Sequence, residues 1–120
     1  MGKKTVVLGA SENRARYSNL ATNNLVAKGH EVIAVGRKTG QINGVNIETA
    51  KIPVKDVDTI TLYLNPTNQK EYYDYILSLQ PKRVIFNPGT ENDELEELLK
   101  QKGIKAQEAC TLVLLSTGQY

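Results

Sequence analysis

Residues 6–17, Val-Val-Leu-Gly-Ala-Ser-Glu-Asn-Arg-Ala-Arg-Tyr, decide how the rest of the chain is read. An apolar run that begins at Thr5 stops at Gly9, and a Gly9-Ala10-Ser11 turn leads past Arg14 and Arg16 into residues at helical spacing. A continuous apolar run of this length fits a strand covered on both faces, as in a parallel sheet. Glycine at the strand's end lets the backbone approach a ligand, Ser11 offers a hydroxyl, and the open N–H groups of a following helix favour negative charge. The stretch reads as a phosphate cradle.

Working outward, Tyr17, Leu20, Ala21 and Leu25 recur at helical spacing, and Lys28-Gly29 supplies a cationic last turn and a stop. Glu31–Val35 is a second buried strand, so the first 35 residues form a strand, helix, strand unit. From Arg37 to Asp58 no helical stripe survives, and Gly40, Gly44 and Pro53 interrupt the chain. Asn43-Gly44 is a hairpin signal, so the segment is expected to be a loop with a short irregular strand pair and at most a turn of helix. Thr59–Leu64 is the third main strand. Asn68 and Glu71 stand in capping-box spacing before Tyr72, Tyr75, Ile76 and Leu79, and Pro81 ends that helix. Arg83–Phe86 is the fourth strand, Asn92 caps a helix carrying Leu95, Leu98 and Leu99 that Gly103 closes, and Lys105 to about Leu115 is the fifth. This alternation predicts an α/β, Rossmann-like, doubly wound sheet of five parallel strands in the order 3-2-1-4-5, a three-layer sandwich forming one domain over residues 1–120.

With 120 residues, 40% of them hydrophobic, one ordinary core is within reach. A net charge of +2 gives no reason to expect a nucleic-acid or membrane partner. The single cysteine, Cys110, rules out an internal disulfide and a Cys-rich metal site. The longest apolar run, Leu112–Leu115, is far short of the roughly 20 residues that span a bilayer. An acylation signal at the amino terminus fails at Val6, and without a signal-like segment a reducing cytoplasm is the expected compartment.

In an open sheet of this kind ligands lie outside the carboxyl ends of the strands, expected here at the switch between the first and fourth strands. The chain places Gly9, Ala10, Ser11, Asn13, Arg14 and Arg16 after the first strand, with Tyr17 and Ser18 opening the helix. Gly36, Arg37 and Lys38 follow the second, Asn65 and Pro66 the third, and Asn87, Pro88 and Gly89 the fourth. Arg14 or Arg16 suits a bidentate grip on phosphate, and Arg37 with Lys38 suits a second phosphate one loop away. Two separated anionic groups imply a nucleotide cofactor. The bland alternative is that Gly9 serves only the turn and the basic residues are solvated.

The dinucleotide fingerprint G-x-G-x-x-G is poorly matched, since Ser11 and Arg14 stand where glycines belong. Arg37 occupies the place of the acidic residue that holds an NAD ribose, which disfavours NAD but not NADP. Cys110 and the lone His30 fall at opposite ends of their strands, so a Cys-His nucleophile is not supported and Cys110 reads as a buried structural thiol. Glu91, Asp93, Glu94, Glu96 and Glu97 read as the start and outer face of a helix rather than as metal ligands. Tyr72 and Tyr75 fit an inward stripe, with Tyr73 at the surface or against a partner.

The GAS turn followed by Arg14, Arg16, Tyr17 and Ser18, with Gly44, Ile52-Pro53, Val57-Asp58, Pro88-Gly89 and Cys110, resembles the small single-domain CoA-binding proteins over nearly the full chain. Those are similar to the CoA-binding domain of the succinyl-CoA synthetase α subunit. The resemblance implies that the Gly9–Ser11 turn and Arg14 hold CoA phosphates, while the loops after the second and third strands line the adenosine end. The chain departs from the family at Val35-Gly36-Arg37, where Val-Asn-Pro is usual, and at Glu108-Ala109, where Arg or Asp-Arg precedes the cysteine. The expected function is binding of CoA or acyl-CoA without catalysis of its own. The alternatives are an NADP-binding oxidoreductase-like protein and an interaction module on a degenerate nucleotide-binding fold, and a homodimer or protein partner stays open.

Overall fold

In the computed structural model, which describes residues 2–120, β1 (Thr5–Leu8) is buried along its whole length. It lies between two parallel neighbours, β2 (Val32–Val35) and β5 (Thr59–Leu62). Beyond β5 come β6 (Arg83–Phe86) and β7 (Lys105–Glu108), both parallel. Beyond β2 lies a hairpin, β3 (Gly40–Ile42) and β4 (Val45–Glu48), with β4 parallel to β2 and β3 antiparallel at the edge. The sheet therefore has seven strands in the order β3-β4-β2-β1-β5-β6-β7.

This corrects the five-stranded 3-2-1-4-5 order read from sequence. The strand beginning at Thr59 lies beside β1, and the place outside β2 belongs to β4. Asn43 and Gly44 both take positive φ, 46° and 82°, the pairing that a two-residue hairpin turn needs. That turn returns the chain so that β4 fills the gap between β3 and β2 with no crossover helix. The switch point consequently falls between β1 and β5, where the expectation had placed it between the first and fourth strands.

Side chains alternate across the sheet. Val6, Leu8, Ile60, Leu62, Val84 and Phe86 face α3 (Tyr73–Leu79) and α4 (Asp93–Gln101), which contribute Tyr75, Ile76, Leu79, Leu95 and Leu99. On the other face Val7, Ala34 and Ile47 meet Leu25 of α1 (Tyr17–Ala27) and Leu115 of α5 (Thr111–Ser116). Each large aliphatic side chain so buried stabilises the fold by roughly 1.5–3 kcal/mol relative to exposure.

The inward stripe of α1 differs from the one its spacing predicts. Tyr17 is 71% and Leu20 43% exposed, while Ser18, Ala21, Thr22 and Leu25 are buried. Small side chains make the contact face, and Thr22 returns its hydroxyl to the Ser18 carbonyl at 2.8 Å. The helix after β5 begins earlier than expected, as α2 (Pro66–Gln69), with Asn65 as its cap accepting from Asn68 N–H at 2.9 Å. A 3-10 turn (Lys70–Tyr72) joins α2 to α3. Asn92 caps α4 as expected.

Leu112–Leu115 is helical, not an extension of the last strand. The Thr111 N–H is taken by Asn87 Oδ1 at 2.8 Å, which starts α5 there, and Cys110 is its half-buried N-cap rather than a strand residue. Asn87 also donates to Thr61 Oγ1 at 2.7 Å and to the Leu62 carbonyl at 2.8 Å, and Thr61 shares a hydrogen bond with Thr111. At the amino rim, Tyr120 shares a 2.6 Å hydrogen bond with Thr5, and the Arg83 guanidinium lies 4.6 Å from its ring. His30 meets the same ring edge-on at 4.9 Å and accepts from Lys3 N–H, which places it on the rim opposite the predicted site. No helix among the described residues is long and apolar enough to cross a membrane.

Candidate functional site

The site is built on the end of β1. Gly9 takes φ of 100°, and a Cβ there would stand 3.0 Å from the Tyr63 carbonyl, so the position needs glycine both for conformation and for space. The N–H groups of Gly9 and Ala10 both donate to the Val35 carbonyl at 2.9 Å, tying the turn to β2. Gly36 passes directly beneath, where a Cβ would fall 2.3 Å from the Ala10 oxygen. The next residues fold on themselves: Ser11 Oγ accepts from Asn13 N–H at 3.1 Å, Asn13 Oδ1 from Ala15 N–H at 3.0 Å, and Asn19 donates to the Ser11 carbonyl at 2.9 Å. The Ser11 hydroxyl keeps its own hydrogen to give.

Arg16 occupies the N-cap of α1 and makes no side-chain capping bond. The first N–H groups of a helix have no partner within it, so Tyr17 and Ser18 present donors at the positive end of the helix dipole. They open into a cleft of about 800 Å³ at the carboxyl ends of β1, β2 and β5. Of the residues expected from sequence, Gly9, Ala10, Ser11, Asn13, Arg16, Tyr17, Ser18, Gly36, Arg37, Lys38, Asn65, Pro88 and Gly89 line it. Three others stand outside the lining: Arg14 is exposed beside it, Pro66 is the first residue of α2, and Asn87 is buried in the network that starts α5.

Sequence reasoning missed Glu12, Thr39, Tyr63, Leu64, Asn68, Tyr72 and Thr90, which also line the cleft. The signal for Tyr63 and Leu64 was available, because they end the apolar run at the same rim as Asn65. Tyr72 serves two purposes, being 9% exposed in the core and still forming part of the wall.

The electrostatics are one-sided. The ion pair found among the described residues is Lys4–Glu31 at 3.9 Å, so Arg16, Arg37 and Lys38 have no carboxylate within 4.0 Å. The Tyr63 hydroxyl is buried without a partner, and that burial pushes its pKa up. Burial, then the Glu71 carboxylate, raises Tyr72, with Arg37 acting in the opposite sense. The acidic run lies elsewhere, with carboxylate oxygens of Asp93, Glu96 and Glu108 within 4.8 Å of one another between α4 and the end of β7. Burial, then the nearby Glu108, pushes Glu96 up to about 7.

The cleft thus gathers open helix N–H groups and unpaired cations at the sheet's switch point, and a family match adds to that geometry. Residues 3–116 match the family described as CoA binding domain. The chain belongs to the CoA-binding domain family. Among solved structures, this CoA-binding domain is 53% identical to an uncharacterized protein, with a TM-score of 0.97 over 100% of this chain and 99% of that one. It is 28% identical to a conserved hypothetical protein from Pyrococcus furiosus, with a TM-score of 0.81, covering 92% of this chain and 97% of that one. The same fold recurs in the dinucleotide forming acetyl-coenzyme A synthetase 1 of Ca. Korarchaeum cryptofilum, at 18% identity and a TM-score of 0.68, where 88% of this chain covers 25% of that one. No curated protein matches the chain.

Proposed function

We propose that the cleft binds CoA or an acyl-CoA and that the protein acts as a carrier, sensor or regulatory module without chemistry of its own. The diphosphate is held at the Ser11 hydroxyl, the Tyr17 and Ser18 N–H groups and Arg16, and the 3′-phosphate at Arg37 and Lys38 beyond β2. The observation that carries this reading is the uncapped start of α1 opening into a cleft whose three cations have no carboxylate partner. Both features favour an anion supplied from outside. The carboxylate lining the cleft, that of Glu12, is engaged with the Gln41 N–H.

NADP is the second reading, favoured by Arg37 and Lys38 at the end of β2, where a 2′-phosphate is met in NADP-binding folds. Calorimetric titration with CoA, acetyl-CoA, NADP and ATP separates the two. Tightest binding to CoA or acetyl-CoA, weakened in Arg16→Ala, is the expected result. Tight NADP binding with none to CoA overturns it, and no binding to any of the four leaves an interaction module.

A further inference from the structure

We propose that Glu12 is a latch that fixes the spacing between the two anion-binding loops, and so lets the cleft distinguish a ligand with an additional, separated phosphate from one with a diphosphate alone. The proposal rests on the CoA reading above. Glu12 leaves the loop after β1 and reaches the edge hairpin, where its Oε2 accepts from the Gln41 backbone N–H at 2.8 Å. The hairpin has a notch for it. Gly40 lies against the carboxyl group, and a Cβ there would fall 2.3 Å from Glu12 Cδ. Positive φ is recorded at Gly44 but not at Gly40, so glycine at position 40 serves space and not a turn.

The consequence falls on Arg37 and Lys38. Their loop is anchored at one end by the Gly36 N–H on the Glu48 carbonyl at 2.9 Å. At the other end, β3 is a three-residue edge strand paired only with β4. Glu12 supplies the hold from the phosphate-loop side, so both ends of the segment 37–40 are referred to the same frame as Ser11. A carboxylate beside an anion site is electrostatically unfavourable for the ligand. A charge-assisted bond to a backbone N–H that positions two cations offsets that cost. Glu12 is thus a positioning residue, acting on the ligand through Arg37 and Lys38.

The test compares the unaltered protein with Glu12→Ala, Glu12→Gln and Gly40→Ala, reading amide exchange at Gln41 by NMR and titrating with CoA and with dephospho-CoA, which lacks the 3′-phosphate. In Gly40→Ala the methyl group meets the end of a flexible side chain, so it expels the carboxyl group while the backbone stays put. Loss of an exposed charge-assisted hydrogen bond is read as about tenfold. Glu12→Ala and Gly40→Ala are each expected to speed Gln41 exchange and to cut the preference for CoA over dephospho-CoA by about that factor. Glu12→Gln, whose amide oxygen still accepts, is expected to restore both. An unchanged preference in Glu12→Ala, unchanged Gln41 exchange, or a Glu12→Gln as impaired as Glu12→Ala overturns the latch. Should the unaltered protein bind neither ligand, the CoA reading falls and so does the discrimination assigned to Glu12, while Gln41 exchange still reports whether the contact holds the hairpin.

Discussion

At the amino rim of the sheet, Arg83 is only 8% exposed, lies over the Tyr120 ring, and gives its Nε hydrogen to Thr59 Oγ1 at 3.1 Å. At the carboxyl rim Arg16, Arg37 and Lys38 are exposed around a cleft and have no carboxylate beside them. Both rims are cationic. They differ in whether the protein's own side chains enclose the cation. A guanidinium enclosed by an aromatic ring and hydroxyls has become part of the packing, whereas one beside open backbone N–H groups remains available to a partner.

The largest expected effect tests what the open rim stands on. Asn87→Ala leaves Thr111 N–H, Thr61 Oγ1 and the Leu62 carbonyl without their shared partner and is expected to cost about 3 kcal/mol, read as a lowered midpoint in denaturant. A midpoint within error of the parent would show that the carboxyl rim needs no such floor.

Next comes the exchange of roles between arginines. Arg37→Ala is expected to weaken CoA by about tenfold in calorimetry with little change in thermal midpoint. Arg83→Met should leave CoA affinity intact and change stability by less than about 1 kcal/mol, because the Arg83 Nη2 is already buried without a partner and its removal relieves that cost. If Arg83→Met weakened CoA as much as Arg37→Ala, the contrast between the rims would fail. Tyr120→Phe, which loses the hydroxyl's bond to Thr5, is expected to cost about 1 kcal/mol in a thermal melt.

The smallest effect is a pH slope. Glu96 holds its proton up to about 7 when folded, above an ordinary carboxyl group, so its contribution is full at low pH and fades as pH rises through about 7. Thermal midpoints should therefore decline from about pH 4.5 to about 7 and level off above, and Glu108→Gln should flatten the decline. His30 has the opposite sign: its pKa is lowered below 6.5, by burial and then by Lys3, and its contribution is present above that value and lost as pH falls through its folded pKa. A Glu108→Gln profile that matches the parent's would show that the carboxyl cluster contributes no slope.

Elements with a strong local signal were legible in the residues alone. Thr5–Leu8, the strand after Glu31, and the Asn92 cap all stand where residue type and spacing put them. The strand order was not, because only Val45 and Ile47 mark β4 as a strand and its place is fixed by pairing with β2, a contact between distant residues. Thr-Leu-Val-Leu-Leu-Ser failed for another reason: a short apolar run has no period of its own, and Asn87, far away in sequence, decides that it coils. In the site, the glycines and most of the rim followed from the strand ends. Arg14 lies exposed beside the lining while Arg16 forms part of it, a difference that spacing in a loop does not reveal, and Glu12 was invisible because its partner is a backbone N–H that carries no side-chain signature.

The close passage of Gly36 under the Ala10 oxygen offers a way to separate shape from charge in this protein. A methyl group there would meet the Ala10 backbone oxygen at 2.3 Å, well inside its 3.1 Å approach to the Ile47 side chain, so one of the two loops has to lift. Gly36→Ala would keep every cation of the rim while misaligning the donors that face the ligand. It is the matched control that a charge-removing substitution cannot provide: a protein with an unaltered isoelectric point and net charge in which any effect that survives is owed to the cations' field alone.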